Sequence, residues 1–335
     1  MTISLVERTP AVSPAALIDG LVPPPLFADA RFDTYHPDPA EPSQLAAREA
    51  ARTFAEALGA TAPRGRRRHR VQQAGGIYLD GGFGVGKTHL LAALWHAAPA
   101  PKAYATFVEL TQLAGALGFA ATVEQLSGMR LLAIDEFELD DPGDTVLVSS
   151  LLARLAEHGV ALAATSNTLP DRLGEGRFAA EDFLREIQQL AARFTTVRVD
   201  GPDYRHRGLP EAPTPLDDAT VREHAAATDG ASLDDFGALL RHLATLHPSR
   251  YGALLDGVSS VHLLDVLPAP DQSVALRLVV LADRLYDRQL PLVTSGVSLD
   301  QLFDESMLAG GYRKKYRRAI SRLVALSRLG VSRGA

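Results

Sequence analysis

The stretch Gly81-Gly82-Phe83-Gly84-Val85-Gly86-Lys87-Thr88 constrains this chain more than any other part of it. It follows the pattern G-x-x-x-x-G-K-[ST], in which glycines let backbone amides converge on an anion where a Cβ would obstruct them. Ile77-Tyr78-Leu79 before it reads as a strand, and Lys87 to about Ala97 after it reads as a helix aiming its positive end at the same anion. A glycine-rich turn matching by chance would lack that strand–loop–helix setting. The expected nucleotide-binding residues are Gly81, Gly82, Phe83, Gly84, Val85, Gly86, Lys87, Thr88 and His89. Lys87 is expected on the β- and γ-phosphates and the Thr88 hydroxyl on Mg²⁺, making ATP and Mg the implied cofactors.

Beyond the loop, short apolar runs alternate with helical stretches. Strands are expected at Ala103–Thr106, Arg130–Ile134, Val160–Thr165 and Thr195–Val199, with a helix from Asp144 to His158 bearing Leu147, Leu151, Leu152 and Leu155 on one face. That alternation predicts an α/β fold, a parallel sheet flanked by helices as in P-loop NTPases. The run Leu131-Leu132-Ala133-Ile134 ends in Asp135 and Glu136, as a buried strand does where it meets a ligand crevice. Asp135 is expected to hold Mg²⁺ through water, and Glu136 to polarise the attacking water. Asn167, at the end of the next buried strand, is a candidate sensor for the γ-phosphate and that water. Asp140, Asp141 and Asp144 read instead as a turn and a helix cap.

Residues 1 to about 40, with prolines at 23 to 25, read as an extended arm, followed by an Ala-rich helix from Pro42 to about Gly59. Arg64 to Arg70 form a basic loop, either a solvated connector or a contact for an anion, DNA or lipid. Gly208 to Pro215 is a linker signal. The expected organisation is therefore 1–75 as arm, helix and basic loop, 76–207 as the ATPase core, and 208–335 as a mixed α/β C-terminal region. Within the last, Ser232 with Asp235 resembles a capping box opening a helix whose stripe is Leu233, Phe236, Leu240 and Leu243. A strand (Val258–Val266), a helix (Ser273–Arg288), a short strand (Pro291–Thr294) and a basic helix (Tyr312–Leu326) follow.

The net charge of −6 rules out a global basic field for nucleic acid, so any such contact is a local patch. Absence of cysteine excludes disulfides and thiolate metal sites. No apolar run approaches the roughly 18 residues of a transmembrane helix, and no leader pattern opens the chain, so the cytoplasm is the expected compartment.

An ATPase that works as a ring lends an arginine across the subunit interface to the transferring phosphoryl group. Arg193 is the candidate, with Arg177, Arg185 and Arg205 also in range; Arg322, beside Lys314, Arg317 and Arg318, is a candidate contact to ATP within the same chain.

Asp135-Glu136-Phe137, Ser166-Asn167, Asp203-Tyr204-Arg205, Asp283-Arg284-Leu285-Tyr286-Asp287 and Ser321-Arg322-Leu323, in this order after the phosphate loop, resemble the ZapE-like cell-division ATPases, from about Phe32 to Leu326. The resemblance implies an AAA+-type ATPase acting with FtsZ or other division proteins, and the ring reading of the arginines implies a homo-oligomer when active. It carries nucleotide roles to Lys87 and Thr88, the acidic pair to Asp135 and Glu136, and the sensor to Asn167. Two other readings stay open: a DNA-associated ATPase of the helicase-loader type, suggested by the basic loop and basic C-terminal helix, and a nucleotide-gated scaffold without turnover. A small-molecule kinase fits less well, because Glu136 and Asn167 suit activation of water.

Overall fold

The computed structural model describes residues 2–60, 75–82, 84–137, 142–168, 188, 191–201 and 211–334. Two compact units divide the chain, one of residues 14–206 and one combining 1–13 with 207–335.

The first unit is built on five parallel strands, β1 (Gly76–Gly81), β2 (Lys102–Thr106), β3 (Leu131–Asp135), β4 (Ala161–Ser166) and β5 (Phe194–Val199), in the order β2-β3-β4-β1-β5. β1, β3 and β4 are buried along their whole length, which explains their near-continuous apolar sequences. Helices cover both faces: α1 (Pro14–Asp19), α2 (Pro42–Gly59), α3 (Lys87–Ala97), α4 (Phe107–Leu117), α5 (Phe119–Leu126) and α6 (Pro142–Glu157). On one face Ile77, Leu79, Leu131 and Ala133 pack against Leu90, Leu91 and Leu94 of α3 and Ala47 and Ala51 of α2. On the other, Tyr78, Leu132, Ile134 and Leu162 pack against Leu110 and Leu113 of α4 and Leu151, Leu152 and Leu155 of α6. Each such buried leucine contributes about 1.5–3 kcal/mol. α4 starts abruptly after β2 because Thr106 and Glu109 form a reciprocal capping box, the Glu109 amide donating to Thr106 Oγ1 at 3.2 Å.

The second unit holds a smaller parallel sheet, β6 (Ala231–Asp235), β7 (Ser260–Val266) and β8 (Leu292–Gly296), in sequential order. Around it lie α7 (Asp218–Ala227), α8 (Phe236–Thr245), α9 (Tyr251–Leu254), α10 (Gln272–Asp287), α11 (Glu305–Ala309) and α12 (Arg313–Gly334). The capping-box expectation at Ser232 is corrected here. Ser232 lies inside β6, opposite Val261, and Asp235 is the N-cap, accepting from the Ala238 amide at 2.7 Å, so the helix starts at Phe236. Phe236, Leu240 and Leu243 do form its buried stripe, whereas Leu233 packs with Val221, Leu264 and Val293.

The extended-arm reading is corrected as well. Leu21, Ala30, Phe32 and Tyr35 are buried in the first unit. Residues 3–6 dock in the second, where the buried Asp234 carboxylate accepts from Ser4 Oγ and the Leu5 amide at 2.9 Å each and from the Val6 amide at 3.2 Å. Among the described residues no helix is long and apolar enough to cross a membrane.

Candidate nucleotide site

The phosphate loop leaves β1 at Gly81 and enters α3 at Lys87. Two of its glycines have no substitute. A Cβ on Gly81 would lie 2.1 Å from the Val199 carbonyl oxygen, and Gly86, at φ 87°, would strike the Tyr35 ring at 2.5 Å. Tyr35 donates to the Val85 carbonyl at 3.0 Å, so the N-terminal segment braces the loop from outside. His89 serves the same brace. Its Nε2 lies 3.1 Å from Thr34 Oγ1 and 3.0 Å from the Arg31 carbonyl. Phe83 lies outside the described residues.

Lys87 is buried, and its ammonium donates to the carbonyls of Gly81 (3.0 Å) and Gly82 (2.5 Å) and to Asn167 Oδ1 at 2.9 Å. The parallel register explains the last contact: β4 pairs directly with β1, and Asn167 follows its final residue. Lys87 and Asn167, distant in sequence, therefore face one small volume above the ends of β1 and β4.

β3 delivers the acidic pair beside them. Thr88 donates from Oγ1 to Asp135 Oδ1 at 3.2 Å. The same carboxylate receives Thr165 Oγ1, the Glu136 amide at 3.1 Å and, on Oδ2, the Tyr104 hydroxyl at 3.0 Å. Burial pushes the Asp135 carboxyl above the usual carboxylate range, with Glu136 adding to it, while Thr165, Tyr104 and Thr88 pull the other way. Burial beside that carboxylate raises Tyr104 well above an ordinary phenol, so it stays a donor. Glu136 takes a left-handed conformation (φ 52°), strained by about 1–2 kcal/mol for a residue other than glycine. Its amide is held there by Asp135 Oδ1 and Thr165 Oγ1, each at 3.1 Å, so the chain turns sharply between the two carboxylates.

A divalent cation fits this donor set: a threonine hydroxyl and a buried carboxylate in contact are hard oxygen ligands, and three surrounding donors fix the carboxylate. Tyr104 and Thr165 are the members that sequence reasoning did not single out. Register could have found Tyr104, since it lies on β2 opposite Ala133, two residues before Asp135 on the same face.

The arginines are placed elsewhere. Arg193 is exposed and precedes β5, its carbonyl accepting from the Gly76 amide at 2.6 Å where β1 begins. The length of β1, roughly 17 Å, separates it from the phosphate loop of its own chain. Arg322 lies in the second unit, paired with Asp283 and stacked over Tyr286 at 5.2 Å, while Arg318 meets the same carboxylate at 3.1 Å. Burial works to raise Asp283, but the two guanidinium groups outweigh it and hold the carboxyl below its usual range. The segments Asp283–Asp287 and Ser321–Leu323 are thus bound to one another. Arg64–Arg70, Arg177, Arg185, Asp203–Arg205, Asp140 and Asp141 lie outside the described residues.

A parallel sheet with β4 between the phosphate-loop strand and the acidic strand, and a lysine, a threonine and a carboxylate gathered at its C-terminal edge, defines a P-loop ATPase of the AAA+ type. The chain belongs to the AFG1-like ATPase family, which matches residues 11–228 and 217–331. It is 27% identical over 291 residues to the cell division protein ZapE of Escherichia coli K12, covering 74% of this chain and 76% of that protein. Over a shorter stretch of 148 residues it is 30% identical to an uncharacterised protein of Schizosaccharomyces pombe, covering 39% of this chain and 33% of the relative. Among solved structures it resembles domain III of the Thermotoga maritima replication initiation protein DnaA (18% identity, 52% of this chain and 69% of that one, TM-score 0.40). The DnaC helicase loader matches at 16% identity over 52% of this chain and 99% of its own, with a TM-score of 0.38. Likenesses at that level bear on no residue of the site.

Proposed function

We propose that this chain binds ATP with Mg²⁺ at the Lys87–Thr88–Asp135 cluster and hydrolyses it. The observation that carries this reading is the convergence of Lys87 on Asn167 and of Thr88 on Asp135 at one sheet edge. The loop amides and Lys87 would bind the β- and γ-phosphates, and Thr88 and Asp135 would hold the metal. Bound there, the metal would supply charge neutralisation on the phosphate oxygens. Glu136 takes the proton of the attacking water, and Asn167 orients that water against the γ-phosphate. Purified protein should release phosphate from ATP only with Mg²⁺. Lys87→Ala should lower the rate at least about 100-fold, the scale of losing one donor to developing charge. Wild-type protein with no turnover at high concentration, alone or with FtsZ, would overturn the reading.

Arg193, too far from its own phosphate loop, would act on a neighbouring copy in a homo-oligomer. A rate per subunit that collapses on dilution is the expected signature. Similarity to the cell division protein ZapE supports a cytoplasmic role in cell division with FtsZ, tested by ATP-dependent co-sedimentation with FtsZ polymers. The exposed Arg313, Lys314 and Arg317 of α12 favour a second reading, a DNA-associated ATPase. Salt-sensitive DNA binding lost on neutralising them would support it.

A further inference from the structure

Tyr78 lies in the middle of β1, fully buried, and touches the residue that follows each of three candidate functional side chains. Its hydroxyl donates to the carbonyl of Thr168, next to Asn167, at 2.7 Å. Its ring meets Phe137, next to Glu136, edge-on with centroids 6.4 Å apart. The same ring meets Phe194, next to Arg193, at 5.6 Å. The Thr168 amide in turn donates to Ser166 Oγ at 3.0 Å, so the turn carrying Asn167 is fixed at both its amide and its carbonyl.

Packing alone would be served by phenylalanine, which fills the same space without a polar atom to satisfy. The hydroxyl is the one part of Tyr78 directed at the Asn167 turn, and the ring is the part that reaches the start of β5. We propose that Tyr78 is a positioning residue that couples the phosphate-sensing Asn167 turn to the Arg193 end of β5. Binding of ATP draws on Lys87, the present partner of Asn167. The Asn167 turn then shifts, and the Tyr78 hydroxyl carries that shift through its ring to Phe194 and so to Arg193, at the opposite edge of the sheet. Rigid packed side chains in contact can carry such a bias between sites. The proposal rests on the nucleotide-binding reading above.

The absence of cysteine makes a clean reporter possible. Ala192→Cys, an exposed position beside Arg193, takes a fluorophore or nitroxide, and the full chain is titrated with ATP and Mg²⁺ with and without Tyr78→Phe. ATP should change the label's signal in the Ala192→Cys protein. Tyr78→Phe should reduce that change at least twofold while the ATP dissociation constant moves less than about threefold, and unlabelled Tyr78→Phe should lose kcat several-fold at unchanged KM. A signal change that Tyr78→Phe leaves intact, or none at all in protein that binds ATP, overturns the coupling. Failure to bind ATP would instead overturn the nucleotide-binding reading, and the coupling with it. A drop in thermal stability without loss of the signal change would assign Tyr78 a packing role only.

Discussion

The ammonium group of Lys87 lies 2.9 Å from the side-chain oxygen of Asn167, joining the loop after β1 to the turn after β4. On the proposed reading, a γ-phosphate arriving at this site would compete with Asn167 for the same ammonium. Asn167→Ala should therefore leave ATP affinity within a few-fold while lowering kcat by about 100-fold, the scale of an electrostatic donor to the reacting group. Nucleotide titration beside phosphate release separates the two quantities. An equal loss in affinity and rate would make Asn167 a ground-state binding residue instead.

Tyr104 holds Asp135 Oδ2 at 3.0 Å. Tyr104→Phe should raise the Mg²⁺ concentration needed for half-maximal nucleotide binding by about tenfold, the lower end of what removing a ligand's orienting partner costs. Burial and then Glu136 already push the Asp135 carboxyl up, and the Tyr104 bond opposes them. The metal needs the ionised carboxylate, so Mg²⁺-dependent binding should weaken as pH falls, and in Tyr104→Phe that loss should begin at higher pH. A variant with unchanged Mg²⁺ and pH profiles would show that Tyr104 only packs.

Asp283 answers two guanidinium groups, Arg318 at 3.1 Å and Arg322, with both arginine side chains mostly buried. Asp283→Ala strands those charges and should destabilise the second unit by about 3 kcal/mol. Urea unfolding would read it, and Asp283→Glu, which keeps the charge, should lose less than Asp283→Ala. If stability is untouched, the Asp283–Arg322 contact is not what holds α10 to α12.

His262 on β7 is pushed down to about 4, burial dominating, with the Ser232 carbonyl opposing and His224 adding to the fall. A depressed folded-state pKa means the neutral ring's contribution is complete above about 6.5 and is lost as pH falls toward about 4. The total is at most about 3 kcal/mol. Unfolding midpoints between pH 7 and 4.5 should therefore fall more steeply in the wild type than in His262→Gln. Parallel slopes would show that His262 does not titrate with unfolding.

The sheet was legible in the sequence because β1, β3 and β4 are buried along their length and show as near-continuous apolar runs, and the phosphate loop pointed to the strand edge where the candidate site lies. Asp135, Glu136 and Asn167 were readable for the same reason, as polar residues ending buried strands. β6 was not. Its sequence Ala-Ser-Leu-Asp-Asp carries a serine and an aspartate at capping-box spacing, and the buried Asp234 finds its hydrogen-bond donors in the N-terminal segment, more than 200 residues away. Long-range partners of that kind leave no local pattern. Tyr104 and Tyr78 were hidden differently: an aromatic inside a strand reads as core, and the hydroxyl contacts that set them apart depend on strand order.

The most direct test of the account is a single-turnover experiment with ATP bound to wild-type protein and to Glu136→Gln in the presence of Mg²⁺. Both should retain ATP with similar affinity, and only the wild type should convert it to ADP and phosphate at an appreciable rate, the variant being slower by about 100-fold or more. Equal rates in the two proteins would contradict the role given to Glu136, and bound ATP that stays intact in both would contradict hydrolysis itself.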